Sequence, residues 1–267
     1  MCLFAFSFCF VSFDRIMALL RTIWFYSVYI AVTVATIPVL LLRGRLNPRG
    51  NGVRNCSLWW MDMALRLAGI RLHADMSAVP DSLRGNPVLF VANHQSNFDI
   101  PLVMRAVRDW YPAFMAKQSL LDIPFFGTCL KAGGHIGVQR GDARKAVRSM
   151  KAAVETAASG RSLIIFPEGT RNRNPQTLGA FRAGCAVIAQ RAGLPVVPLV
   201  LEGSADLLPS GRLMLGSRRD VYLRALPPVD PASYSKDEKN IFSDTLRDSM
   251  EIAYQEMRAC RNTKTLS

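Results

Sequence analysis

No two of the six cysteines form a C-x-x-C pair, and none stands beside a histidine at metal-ligand spacing. Cys2, Cys9, Cys56, Cys129, Cys185 and Cys260 are scattered, which argues against a disulfide framework and against a zinc site. They read as buried or lipid-facing thiols in a reducing compartment. The chain has no G-x-S-x-G turn, so the nucleophile elbow of a serine esterase is missing. It has no internal repeat and no low-complexity tract. Acidic residues are few: 20 Asp and Glu against 33 Lys and Arg leave a net charge of +13. That balance suits acidic partners, whether phospholipid headgroups, phosphorylated substrates, nucleic acid or an acidic carrier protein, and does not choose among them.

What is present begins with length. A chain of 267 residues suits one large domain, or a domain with an appendage, and can bury a core without disulfides. Hydrophobic residues make up 50% of it, which is ordinary, but the mean hydropathy of +0.15 is raised by an apolar N-terminus. Met1 to Phe13 is apolar and aromatic, and Asp14 and Arg15 interrupt it. Thr22 to Leu42 then carries no charge, about 21 residues, enough for a helix to cross a hydrocarbon layer of about 30 Å. Pro38 is expected to kink or end that helix. Arg43, Arg45, Arg49 and Arg54 follow, and by the positive-inside rule they put the remainder on the cytoplasmic face of the cell membrane if the helix spans. The apolar run is long and no small-residue cleavage site follows it, which argues against a cleaved signal peptide. Met17-Ala18-Leu19-Leu20-Arg21 reads as the start of a conventional anchor, with residues 1–16 as an upstream extension or a misassigned start.

Residues 43–54, rich in Gly, Pro, Asn and Arg, read as a linker. A second helix is predicted over Asn55–Ala68. Trp59, Trp60, Met63 and Leu67 form its broad apolar face, Asp62 and Arg66 its polar one. The paired tryptophans suit a membrane interface, with packing into the core as the alternative. Residues 1–72 are thus expected to anchor the chain through hydrophobic helices, and 73–267 to form an α/β domain.

Beyond residue 75, strand and helix signals alternate, as in α/β proteins. Strands are predicted at Pro87–Ala92, Ala113–Ala116, His135–Val138, Ser162–Phe166, Val196–Leu201 and Val221–Ala225. Helices are predicted at Asp142–Ser159, Leu178–Ala192 and Asp237–Cys260. In the first of these, Ala143, Ala146, Val147, Met150, Ala153, Val154 and Ala157 recur at three- and four-residue steps. Arg144, Lys145, Arg148 and Lys151 make a basic stripe, read as a solvated face that could also meet anionic lipid or a carrier.

Three constellations carry chemistry. The first is His94 and Asp99, where an apolar strand opens into a polar loop. This spacing lets Asp99, in the first helical turn, reach back to the imidazole. A carboxylate on one ring nitrogen fixes the tautomer and leaves the other nitrogen free as a general base. The bland alternative is a structural histidine and a carboxylate at a helix N-terminus. The second is Phe166-Pro167-Glu168-Gly169-Thr170-Arg171, another strand tip. Pro167 ends the ladder, Gly169 permits a left-handed turn, and Arg171 offers a planar fork suited to phosphate. Glu168 either orients that fork or binds a substrate hydroxyl. The third is Gly134–Arg140, a short strand ending in Arg140, with Lys117 as a further cation at a strand end. His135 reads as structural, because no acid is placed near it.

Taken together these segments resemble the glycerolipid acyltransferases. Asn93–Asp99 matches their NHxxxxD motif, Gly134–Arg140 resembles their second block, Phe166–Arg171 is similar to their third (FPEGTR), and Val197-Pro198-Leu199-Val200 to their fourth. The four stand in the family's order, and the likeness, closest to bacterial-type 1-acylglycerol-3-phosphate acyltransferases, covers about residues 85–205. Gly137 and Gln139 depart from the usual second block, where an apolar and an acidic or polar residue stand. The resemblance implies a glycerol-3-phosphate acyltransferase-like fold, a mixed sheet flanked by helices, with an N-terminal helix pair dipping into the membrane. It also implies a His94–Asp99 dyad acting on an acceptor hydroxyl, phosphate contacts from Arg140 and Arg171, and Glu168 with Gly169 in the acceptor site. Expected partners are the phospholipid bilayer, lysophosphatidate, and acyl-CoA or acyl-carrier protein as co-substrate, with no cofactor, metal or nucleic acid. No Ser or Cys is placed beside the dyad as a nucleophile, so direct attack by the acceptor is expected. Another acceptor, such as a lyso-aminolipid or glycerol-3-phosphate, remains open. A non-catalytic basic surface binder would leave the four ordered blocks unexplained.

Overall fold

The computed structural model describes residues 2–46, 52–139 and 143–265. Two helices lead, α1 (Cys2–Leu46) and α2 (Gly52–Leu67). There follow β1 (Arg71–Asp75), β2 (Leu89–Ala92), α3 (Asp99–Ala106), β3 (Ala113–Lys117), α4 (Gln118–Leu121), α5 (Phe126–Ala132) and β4 (Ile136–Val138). The rest comprises α6 (Ala143–Ala158), β5 (Leu163–Ile165), α7 (Gly184–Ala192), β6 (Val196–Glu202), α8 (Ser204–Leu207), β7 (Asp220–Ala225) and α9 (Lys239–Thr265).

The strands form one mixed sheet in the order β1-β7-β6-β2-β5-β3-β4. The block β6-β2-β5-β3-β4 is parallel throughout. β7 runs antiparallel to β6, and β1 follows β7. Every residue of β2, β5 and β6 is buried, as a parallel strand covered on both faces requires. Alternation along β2 splits the core in two. Phe90 and Ala92 pack with Phe25, Leu58, Met61, Leu65 and Leu102, under α1, α2 and α3. Leu89 and Val91 pack with Ala153, Ile188, Met250 and Tyr254, under α6, α7 and α9.

Helix α1 does not stop at Pro38. The one bond proline cannot make, to the Val34 carbonyl one turn back, lies where both residues are exposed, so the missing bond leaves no unsatisfied group in the core. The segment Asp14–Leu46 is long and apolar enough to cross a membrane by length and composition. One stripe of it, Thr22, Phe25, Tyr29, Thr33, Thr36 and Leu40, is buried or half-buried. These residues step by three and four, so a single face of α1 lies along the domain. Its other face exposes Leu19, Leu20, Ile23, Trp24, Ile30 and Val34.

The expected linker is shorter than 43–54, because helix persists to Leu46 and resumes at Gly52; Arg49 lies outside the described residues. The tryptophan pair divides. Trp60 packs between Tyr29 and Phe126 and donates to Thr33 Oγ1 at 2.9 Å, while Trp59 stays exposed. The helix predicted from Leu178 begins only at Gly184. The Leu178 and Gly179 N–H groups donate instead to the carboxylates of Glu251 and Glu168, which holds residues 178–183 out of helix.

Candidate active site

Because β2, β3, β4 and β5 are parallel, their C-terminal tips emerge at one end of the sheet. The strand order sets the sequence of groups there: Glu202 from β6, His94 after β2, Phe166–Arg171 after β5, and Lys117 at the end of β3. The connections that leave the neighbouring strands β2 and β5 run in opposite directions along the sheet, to β3 and to β6, and mark the switch point where α/β proteins open a crevice.

The structure brings His94 and Asp99 together. Asp99 opens α3 and is fully buried. Its Oδ2 accepts from His94 Nδ1 at 2.8 Å, from the Gln95 N–H at 2.6 Å and from the Ser96 N–H at 2.7 Å. The two main-chain donors orient the carboxylate, and the carboxylate holds Nδ1 in its protonated form. His94 Nε2 then carries the lone pair. Asp99 Oδ1 is buried and has no partner among the described residues. The imidazole stacks on Phe166, with ring centroids 4.3 Å apart.

Glu168 fastens the second tip to the first. Its Oε1 accepts from the His94 N–H at 2.8 Å and its Oε2 from the Gly179 N–H at 3.2 Å. On the other side of the histidine, the Asn172 N–H donates to the His94 carbonyl at 2.7 Å. Burial pushes the Glu168 carboxyl up to about 7, against the two N–H donors that favour its charged form. No ion pair joins Glu168 to Arg171 among the described residues. Gly169 takes a φ of +68°, the left-handed region that favours glycine, while a Cβ there would meet only the flexible Arg182 side chain. Arg171 is half-buried and Lys117 exposed. Arg140 lies outside the described residues.

His135 stands apart from this cluster. It is buried, stacks on Phe114 at 3.7 Å, and accepts from the Phe114 N–H. Burial, with Arg161 nearby, pushes its pKa down to about 3, so it is a neutral packing residue. At Gly137 a Cβ would fall 2.0 Å from the Gln118 side-chain oxygen, so that flexible side chain would have to swing aside.

Two groups of supporting residues escaped the sequence reading. Asn93 is fully buried and pairs its side-chain amide with the Leu201 backbone in both directions, at 2.9 and 2.7 Å. Its side chain thereby takes the place of a main-chain partner for the β6 backbone beyond the β2–β6 ladder. The asparagine of an Asn-His pair after an apolar strand was the available signal. Glu202, also buried, holds Arg218 at 3.2 Å and Arg261 at 2.5 Å, and burial raises its carboxyl. Nothing local in the sequence joins residues so far apart.

A parallel-cored mixed sheet with a buried-acid-held histidine at its switch point defines the class, and residues 74–202 match the acyltransferase family model. The chain belongs to the 1-acyl-sn-glycerol-3-phosphate acyltransferase family. It is 33% identical over 178 residues to the enzyme of that name from Salmonella typhimurium, covering 65% of this chain and 69% of the relative. The counterpart from Helicobacter pylori is 30% identical over 69% of this chain and 75% of its own length. The crystal structure of the 1-acyl-sn-glycerophosphate acyltransferase PlsC from Thermotoga maritima superimposes with a TM-score of 0.75 at 27% identity, covering 92% of this chain and 98% of that one. Against the algal and plant relatives the aligned part spans less than half their length, 43% for Chlamydomonas reinhardtii and 34% for Arabidopsis thaliana.

Proposed function

We propose that this chain transfers a fatty acyl group from acyl-CoA or acyl-carrier protein to the free hydroxyl of 1-acylglycerol-3-phosphate, giving phosphatidic acid for phospholipid synthesis. The observation that carries the reading is His94, its Nδ1 committed to Asp99 and its Nε2 left to the crevice, in a chain of this family. Nε2 takes the hydroxyl proton as the oxygen attacks the thioester carbonyl. The imidazolium, stabilised by Asp99, returns the proton to the departing thiolate. Such general-base help is worth about 10²–10⁴-fold in rate. The scheme needs no cofactor and no acyl-enzyme. In this reading Arg171 and Lys117, from the β5 and β3 side of His94, receive the acceptor's phosphate, with Arg140 as a third cation. Glu168 fixes the His94 main chain and, with Gly169, borders the acceptor site. The exposed apolar face of α1 meets the bilayer that holds substrate and product, with the α/β domain on the cytoplasmic side.

The test is His94→Ala in the full chain, assayed on lysophosphatidate, a lyso-aminolipid and glycerol-3-phosphate with both donor types, with vesicle binding measured in parallel. Loss of transfer at unchanged binding is expected. Undiminished transfer by the variant would remove the dyad from the mechanism, and preference for another acceptor would redirect the phosphate contacts.

A further inference from the structure

Between α8 and β7 the chain makes a loop whose apolar tip is held outward. At its base, Pro209 pairs with Ser96 in a short antiparallel bridge, and Ser96 Oγ donates to the Leu208 carbonyl at 3.1 Å. Further along, the Leu215 N–H donates to Thr22 Oγ1 at 3.0 Å, and Arg21 Nη2 donates to the Leu215 and Gly216 carbonyls at 2.8 and 2.5 Å. Leu215 itself is buried at 2% exposure. Between these two moorings stand Arg212, Leu213 and Met214, all exposed, Leu213 at 75%. An apolar side chain so placed gains nothing from water.

The moorings also fix where the tip lies. Thr22 and Arg21 sit on the turn of α1 that exposes Leu19, Leu20, Ile23 and Trp24. Leu213 and Met214 therefore extend the exposed apolar face of α1 onto the α/β domain. Arg212 adds a cation at the edge of the patch, in a chain of net charge +13, where anionic headgroups complement it.

We infer that the Arg212-Leu213-Met214 tip inserts into the interfacial layer of an anionic phospholipid bilayer beside α1. Ser96 lies between His94 and Asp99 in the chain and is bonded to the loop's base, so insertion sets the height of the dyad above the lipid. The inference rests on the reading of α1 as a bilayer contact.

The test uses the full chain in phosphatidylglycerol-containing vesicles. A tryptophan is introduced at the tip, Leu213→Trp, or, as a control on the far face, at Ile252→Trp, a position on α9 exposed at 64%. The added emission, taken as the difference from the native chain, is expected to shift to the blue for Leu213→Trp. Brominated acyl chains should quench it severalfold more than that of Ile252→Trp. Equal, water-like emission from both variants, with the native α1 tryptophan quenched, overturns the inference and spares the α1 reading. Unquenched native tryptophans overturn both. A blue shift that depends on protein concentration and is indifferent to bromine assigns the tip to a second copy of the chain and also overturns the inference.

Discussion

Asp99→Asn separates what the buried carboxylate does by charge from what it does by shape. In the native site Oδ2 receives three N–H donors and Oδ1 receives none. An asparagine must turn its carbonyl oxygen to the three donors, since its NH₂ group there would meet two main-chain N–H groups head on. The variant therefore keeps the His94 tautomer and the loop geometry, and loses the negative charge. The lost quantity is the attraction between carboxylate and imidazolium in the transition state. At a charge separation of about 4 Å and an effective dielectric near 20 it is about 4 kcal/mol. A neutral acceptor retains part of it through the hydrogen bond. A loss of about 2–4 kcal/mol corresponds to roughly 30- to 1,000-fold in kcat. The new NH₂ group occupies the unpartnered side, so stability should fall by about 1–3 kcal/mol for a buried donor without an acceptor. Single-turnover acyl transfer measures the first and thermal unfolding in detergent the second. A variant within threefold of native rate would refute a charge-based role for Asp99. One as dead as His94→Ala, with its fold intact, would refute the retained tautomer.

Asn93→Ala removes both bonds to Leu201 in a fully buried setting and should cost about 2–4 kcal/mol, read as a lower Tm, with kcat falling because His94 follows it directly. Glu168 should leave a signature in stability against pH. Its carboxyl is raised from 4.5 to about 7 in the fold. Between those values the folded chain holds a proton that the unfolded chain has lost, so stability decreases as pH rises through this window, by at most about 1.4 kcal/mol per pH unit. The slope should flatten in Glu168→Gln, which also leaves one of the two N–H donors without an acceptor; an unchanged slope in the variant would assign the titration elsewhere.

The parallel core was legible because each of its longer strands is an unbroken apolar run closed by a breaker. Val196–Leu201 and Ser162–Phe166 could be read from their apolar residues alone, the latter trimmed to Leu163–Ile165 in the structure. β1 was not, because Arg71–Asp75 is a largely exposed strand at the sheet's edge, with no hydrophobic period to see. The late start of α7 was hidden for a different reason. The donors of Leu178 and Gly179 are taken by two carboxylates, one of them 73 residues away, and such competition leaves no local trace. At the site, the five-residue step from His94 to Asp99 was enough to bring imidazole and acid together. The hold of Glu168 on the His94 main chain was not visible, since its partners are main-chain N–H groups and the sequence suggested Arg171 or a substrate hydroxyl instead. Arg140 falls outside the described residues, so its place beside the phosphate stays with the chemistry of the motif.

The moorings of His94 also set an order of events in the life of the chain. The residue is held from Glu168 and Asn172, and the asparagine before it from Leu201, 74 to 108 residues downstream. Its lipid-facing helix is made first, its last support after most of the chain. A polypeptide ending before β6 thus carries the apolar helix, both dyad residues, Glu168 and Asn172, but lacks the Leu201 backbone that holds Asn93. The apolar helix and both dyad residues are thus complete in the chain before the last contact that fixes their geometry exists.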